Sequence, residues 1–209
     1  MSHSEYILHE SNQLIFNGEY ERAENILLKE IEELENHQME DQPIFRRLLV
    51  EFSYLSNQLH NYMRAYAYAS YAKILYEKNQ DFQSDYIRCL TTFAEVLFYY
   101  DDKIWSKFHI DTAINMARKE WKENLDRLGE TEESYYVCDN FISMLTSASL
   151  IYANAGCEAE AIAAIKEAVD YVEKTDNDIS YPYFQLGQLY FKKKEYTQAI
   201  EVTPRSWTG

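Results

Sequence analysis

The side chains best suited to chemistry are thinly spread along this chain. Its five histidines, His3, His9, His37, His60 and His109, lie far apart in the sequence. None belongs to an HExxH or CxxC…H spacing of the kind that gathers zinc ligands. His109 and Asp111 are two residues apart, a separation that turns side chains away from each other on a helix. Cys89, Cys138 and Cys157 are odd in number, widely spaced and form no CxxC, as expected of reduced structural thiols in a cytoplasm. No GxSxG elbow, P-loop or GxGxxG turn occurs. No catalytic residue, metal ligand or cofactor is therefore expected, and the acidic run EIEELE at 30–35 reads as a solvated face.

The formal net charge is -15, with a pI near 4.7. A nucleic-acid binder needs a positive footprint to displace counterions from phosphates, so intrinsic DNA or RNA binding is disfavoured. An anionic membrane leaflet is disfavoured on the same ground. The N-terminus MSHSEYILHESNQL shows no secretory leader pattern. No apolar run approaches the roughly 20 residues that span a bilayer. A cytoplasmic location is the expectation.

The elements that must position any binding residues are helices. Hydrophobic residues make up 46% of the 209 residues, against only 5 Gly and 3 Pro, too few turn-formers for a sheet-rich fold. Helical periodicity runs through 5–18, 19–37, 43–60, 61–76, 85–100, 104–127, 136–156, 158–174, 181–194 and from 195 onward, with Asp176–Asn177–Asp178 as a loop. NYMRAYAYASYAKILY, residues 61–76, carries five tyrosines in sixteen residues. At 100° per residue, Ala69 and Ala72 fall within about 40° of Ala65, and the three form a seam for close helix approach. The tyrosines surround that seam on several sides, which predicts a helix buried on more than one face, with Tyr66 and Tyr71 turned furthest away.

The turns repeat. NGEYERAENIL, LHNYMRAYAYA, AGCEAEAIAAI and KKEYTQAIEV share a turn, an aromatic or Glu, two variable residues and Ala, at Ala23, Ala65, Ala161 and Ala199. Separations of 42 between the first two alanines and 38 between the last two leave room for one less regular unit around Tyr100–Ala117. The pattern resembles the tetratricopeptide repeat (TPR) family. Leu186, Gly187, Tyr190, Tyr196 and Ala199 carry it in the last unit, and Tyr152, Gly156, Ala161 and Ala168 in the unit before. Gly18, Tyr20, Ala23 and Leu27 carry it in the first, and Tyr62, Ala65, Ala69 and Ala72 in the second. The signature Trp of the first helix is missing throughout. The pattern stops at Val202, where Pro204 blocks further helix.

The resemblance implies an all-α, right-handed α-solenoid of antiparallel pairs, about five with the last incomplete, over residues 1–202, followed by a 203–209 tail. It also implies a ligand groove on the concave face lined by first helices. The matching positions are Asn12 and Phe16; Arg47, Tyr54, Asn57 and Gln58; Arg88, Thr91, Glu95 and Tyr99; Thr146, Leu150 and Asn154; and Tyr181, Phe184, Gln185 and Gln188. Amides both donate to and accept from a peptide backbone, and tyrosines offer rigid contact area. The positions at which chaperone-tail clamps of the family carry a basic residue hold Leu8, Val50, Thr91, Thr146 and Phe184, with Arg47 and Arg88 one turn away. The implied role is a non-enzymatic scaffold for a protein or peptide. Two alternatives stand beside it. One is a sensor or anti-activator related to the Rap and PlcR-like peptide-pheromone regulators of Gram-positive bacteria, without their effector domain. The other is a self-associating array whose open apolar end, near Tyr190, Tyr196 and Ile200, pairs with another copy.

Overall fold

The computed structural model describes residues 2–79, 83–175 and 180–203. The expected loop at Asp176–Asp178 and the tail from Pro204 lie outside them. Among the described residues there are helices and no strands, and no helix is long and apolar enough to cross a membrane. The chain divides into two compact units, residues 1–102 and 103–209.

The first unit holds α1 (His3–Phe16), α2 (Tyr20–Asn36), α3 (Pro43–Gln58), α4 (Tyr62–Asn79) and α5 (Gln83–Tyr99). Ser2 and Glu5 close a capping box that starts α1, and Pro43, whose missing N–H costs nothing there, starts α3. The pairs α1–α2 and α3–α4 stack in sequence, with α1 against α3 and α3 against α5, so the first helices of successive pairs form one continuous layer. The core beneath that layer includes Leu27, Ile31, Phe45, Leu48, Phe52 and Leu55, all essentially fully buried. Ala65, Ala69 and Ala72 are buried too, and α4 packs against both α3 and α5 through the expected seam. Around that seam the tyrosines find aromatic partners. Tyr68 meets Phe52 edge-on at 4.6 Å, Tyr71 meets Phe45 at 5.9 Å and Tyr62 stacks on Tyr99 at 5.1 Å. Tyr66, near Phe93 and Tyr100, is still 42% exposed.

The second unit holds α6 (Lys103–Glu120), α7 (Lys122–Asp126), α8 (Glu132–Asn154), α9 (Glu158–Thr175), α10 (Tyr181–Lys192) and α11 (Tyr196–Val202). The single helix expected over 104–127 is two. The break falls at Trp121, whose buried indole lies edge-on to Phe141 of α8 at 6.4 Å. Phe141, Leu145 and Ala148 of α8 and Ala161, Ile165 and Ala168 of α9 form the centre of this unit, and α10 with α11 continues it.

One turn geometry recurs between successive helices. Gly18, His60, Asp101, Gly156 and Lys194 all have positive φ, between 58° and 78°. In each case the next residue's N–H reaches back five residues in the Schellman pattern, as from Glu19 to Leu14 O (2.8 Å) and from Cys157 to Tyr152 O (2.8 Å). Five residues beyond each positive-φ residue lies a buried small side chain: Ala23, Ala65, Ser106, Ala161 and Ala199. This sets the register of the irregular third repeat, whose turn residue is Asp101 and whose small residue is Ser106.

A candidate ligand-binding face on the first helices

Two of the groove residues expected in the first unit, Arg47 and Arg88, meet where α3 packs against α5. Arg47 and Glu51 are four apart on α3, and Asp85 and Arg88 three apart on α5. Local pairing within each helix would be possible at those spacings. The fold crosses them instead. Arg47 Nε donates to Asp85 Oδ2 at 2.7 Å, and Arg88 Nη2 donates to Glu51 Oε2. Each first helix thus contributes one guanidinium and one carboxylate to a double bridge. With Leu8, Val50 and Tyr76 these four residues line a cleft of about 40 Å³. Leu8 and Val50 are the apolar residues at two of the clamp positions.

The cleft's electrostatics follow from burial. Glu51 is only 3% exposed. Burial pushes its carboxyl above the usual carboxylate range, against the pull of Arg88. Tyr54, one turn along α3, is half-buried. Burial pushes its phenol up, with Glu95 and Glu51 adding to the shift and Arg88 opposing it. Tyr54, Glu95, Glu51 and Arg88 therefore share one field. The Tyr76 hydroxyl, buried at the edge of the cleft, makes no hydrogen bond among the described residues.

Because folded Glu51 holds its proton more tightly than unfolded Glu51, wild-type stability falls as pH rises from the ordinary glutamate range through the raised value. Glu51→Gln removes this dependence. Urea midpoints of the two proteins between about pH 4 and pH 8 should show the variant gaining on wild type as pH rises. A difference that does not change with pH would contradict the raised carboxyl.

The other expected positions separate by exposure. Asn12 and Gln58 are exposed on α1 and α3, and Asn12 lies one helical turn beyond Leu8 of the cleft. Asn57 is buried, only 4% exposed, with its Oδ1 unpartnered among the described residues. In the second unit, Asn154 is half-buried at the end of α8 and Tyr181 is exposed at the start of α10. Gln185 is buried, and its Nε2 donates to Thr146 O of α8 at 3.2 Å, so it ties two first helices together. Gln188 is exposed. With Phe184, Phe191, Tyr196 and Ile200 it lines an open, mostly apolar groove of about 760 Å³ between α10 and α11. Sequence reasoning did not place Glu51, Asp85 or Tyr76 at the cleft. The acids at four and three residues from Arg47 and Arg88 are a signal, but that spacing points along a helix, not across to its neighbour.

The fold is shared with solved structures. A protein of Podosopora anserina described as a putative kinesin light chain with nearly identical TPR-like repeats superposes with a TM-score of 0.71 at 11% identity, over 99% of this chain and 95% of that one. The chain has a TPR-like fold. MamA (41-end) of Desulfovibrio magneticus RS-1 matches with a TM-score of 0.61 at 14% identity, over 99% and 97% of the two chains. A thermophilic TPR protein of Thermus thermophilus matches with 0.61 at 16% identity, over 97% and 89%. No family model and no curated sequence matches this TPR-like chain. At such identities the likeness is one of fold, an all-α TPR-like solenoid class.

Proposed function

We propose that this TPR-like protein is a non-enzymatic, cytoplasmic scaffold that holds a peptide or protein segment against its first-helix face. The observation that carries the reading is the continuous layer of α1, α3 and α5. Tyr54, Arg88 and Glu95 cluster at its α3–α5 seam, with Asn12 and Gln58 exposed on the same helices. A half-buried tyrosine supplies rigid area, and exposed amides supply donors and acceptors for an extended backbone. Both guanidiniums of the cleft already hold carboxylates, so a ligand acid must displace Glu51 or Asp85. Peptides selected for neutral polar and aromatic content should bind better than acidic tails. The test is anisotropy titration of peptides selected from a random library against wild type and a Tyr54→Ala/Gln58→Ala variant. A loss of at least about ten-fold is expected, and an unchanged affinity would remove this face as the site. Selection of short hydrophobic peptides would turn the reading toward the pheromone-sensor alternative.

A second reading, self-association, is favoured by the α10–α11 groove, where Phe191 and Ile200 are 65% and 70% exposed. The occupant in this reading is a second copy. Light scattering should then report mass above one chain, lost on Ile200→Glu. A monomer at high concentration would exclude it.

A further inference from the structure

Away from the first-helix cleft, the start of α1 meets the middle of α2. Glu30 and Glu33 share a face of α2, three residues apart. His3, in the first turn of α1, faces them. One imidazole nitrogen and two carboxylate oxygens from these residues all lie within 4.8 Å of one another. Glu30 is a buried carboxylate, 5% exposed. Its Oε1 accepts from Ser4 Oγ at 2.5 Å. Its Oε2 stands 3.4 Å from His3 Nε2, too long for an N–H···O bond, and receives no hydrogen bond among the described residues. Ser4 thus fixes the carboxylate through Oε1 and leaves Oε2 turned toward the imidazole.

The separation itself is informative. Two ligands about 2.1 Å from a tetrahedral zinc ion stand roughly 3.4 Å apart. Glu33 is exposed, and among the described residues its carboxylate is held only by a 3.7 Å contact with the exposed ammonium of Lys29, so it can close the third position. Imidazole plus carboxylate donors suit zinc and its neighbours in the transition series; an all-oxygen set would suit magnesium or calcium. We propose that His3, Glu30 and Glu33 form a three-ligand site for a divalent transition-metal ion of the zinc class, with Ser4 orienting Glu30 and water completing the shell. The ion would tie the first turn of α1 to α2.

The experiment is calorimetric titration of the full chain with Zn²⁺ after chelator treatment and desalting, with Mg²⁺ and Ca²⁺ run in parallel. One zinc per chain is expected, with little response to the other two ions. His3→Ala and Glu33→Gln change exposed side chains and should each weaken binding by at least about ten-fold. His9→Ala, an exposed histidine outside the group, should stay within about two-fold. Circular dichroism checks that each variant is folded. Absence of zinc binding up to about 100 µM, a dissociation constant corresponding to weak affinity, would overturn the site. So would His3→Ala binding zinc as wild type does, since that marks diffuse attraction to an acidic surface.

Discussion

Phe52→Ala is expected to lower the stability of the first unit by about 3–5 kcal/mol. The ring is fully buried, with the Tyr68 ring edge-on at 4.6 Å and the Arg64 guanidinium 5.2 Å above it. Truncation removes the transfer free energy of the phenyl group and leaves a cavity that three packed helices cannot collapse around. It also strips Tyr68 and Arg64 of their shared partner. Chemical denaturation should show a lower midpoint with an unchanged slope. A loss below about 1 kcal/mol would mean that the α3–α4 interface is not the close-packed one described.

Ala72→Leu is the second large effect, arising from the opposite cause. Ala72 has no exposed surface and belongs to the same core as Phe45, Leu48 and Leu55. Three added carbons must push α4 away from its neighbours, at about 1–3 kcal/mol. Ile74→Ala, on the same helix but 62% exposed, should change stability by no more than about 0.5 kcal/mol. Equal effects at the two positions would contradict the alanine seam.

The contrast between those residues shows where sequence was informative. Small residues at helical spacing favour close approach, so Ala65, Ala69 and Ala72 mark the packing face of α4 from the sequence alone. The same rule failed at the third repeat because its turn uses Asp101 and its small residue is Ser106. Ser106 does not match the Ala of the other units, and Asp101, like His60 and Lys194, is not a glycine, although the backbone geometry is the same in kind. The break at Trp121 was hidden by a helical pattern that continues through it; the backbone leaves the helix there, where the buried indole packs edge-on to Phe141. At the candidate site, helix assignment was enough to collect Arg47, Tyr54, Arg88 and Glu95 on first helices. It was not enough to tell exposed from buried amides. Asn57 and Gln58 are adjacent, yet one is buried and the other open, and Gln185 is consumed by Thr146. The crossing of Arg47 to Asp85 and of Arg88 to Glu51 depends on the α3–α5 approach, which no single-helix pattern contains.

The proposed function requires that ligands meet this TPR-like protein on its first-helix face. The most direct measurement is an NMR map of side-chain perturbations on adding a library-selected peptide. The expected result is shifts at Tyr54, Gln58, Arg88 and Glu95, with Tyr66 and Ile74 on α4 unmoved. Shifts confined to α2 and α4, with the α3–α5 seam silent, would contradict it.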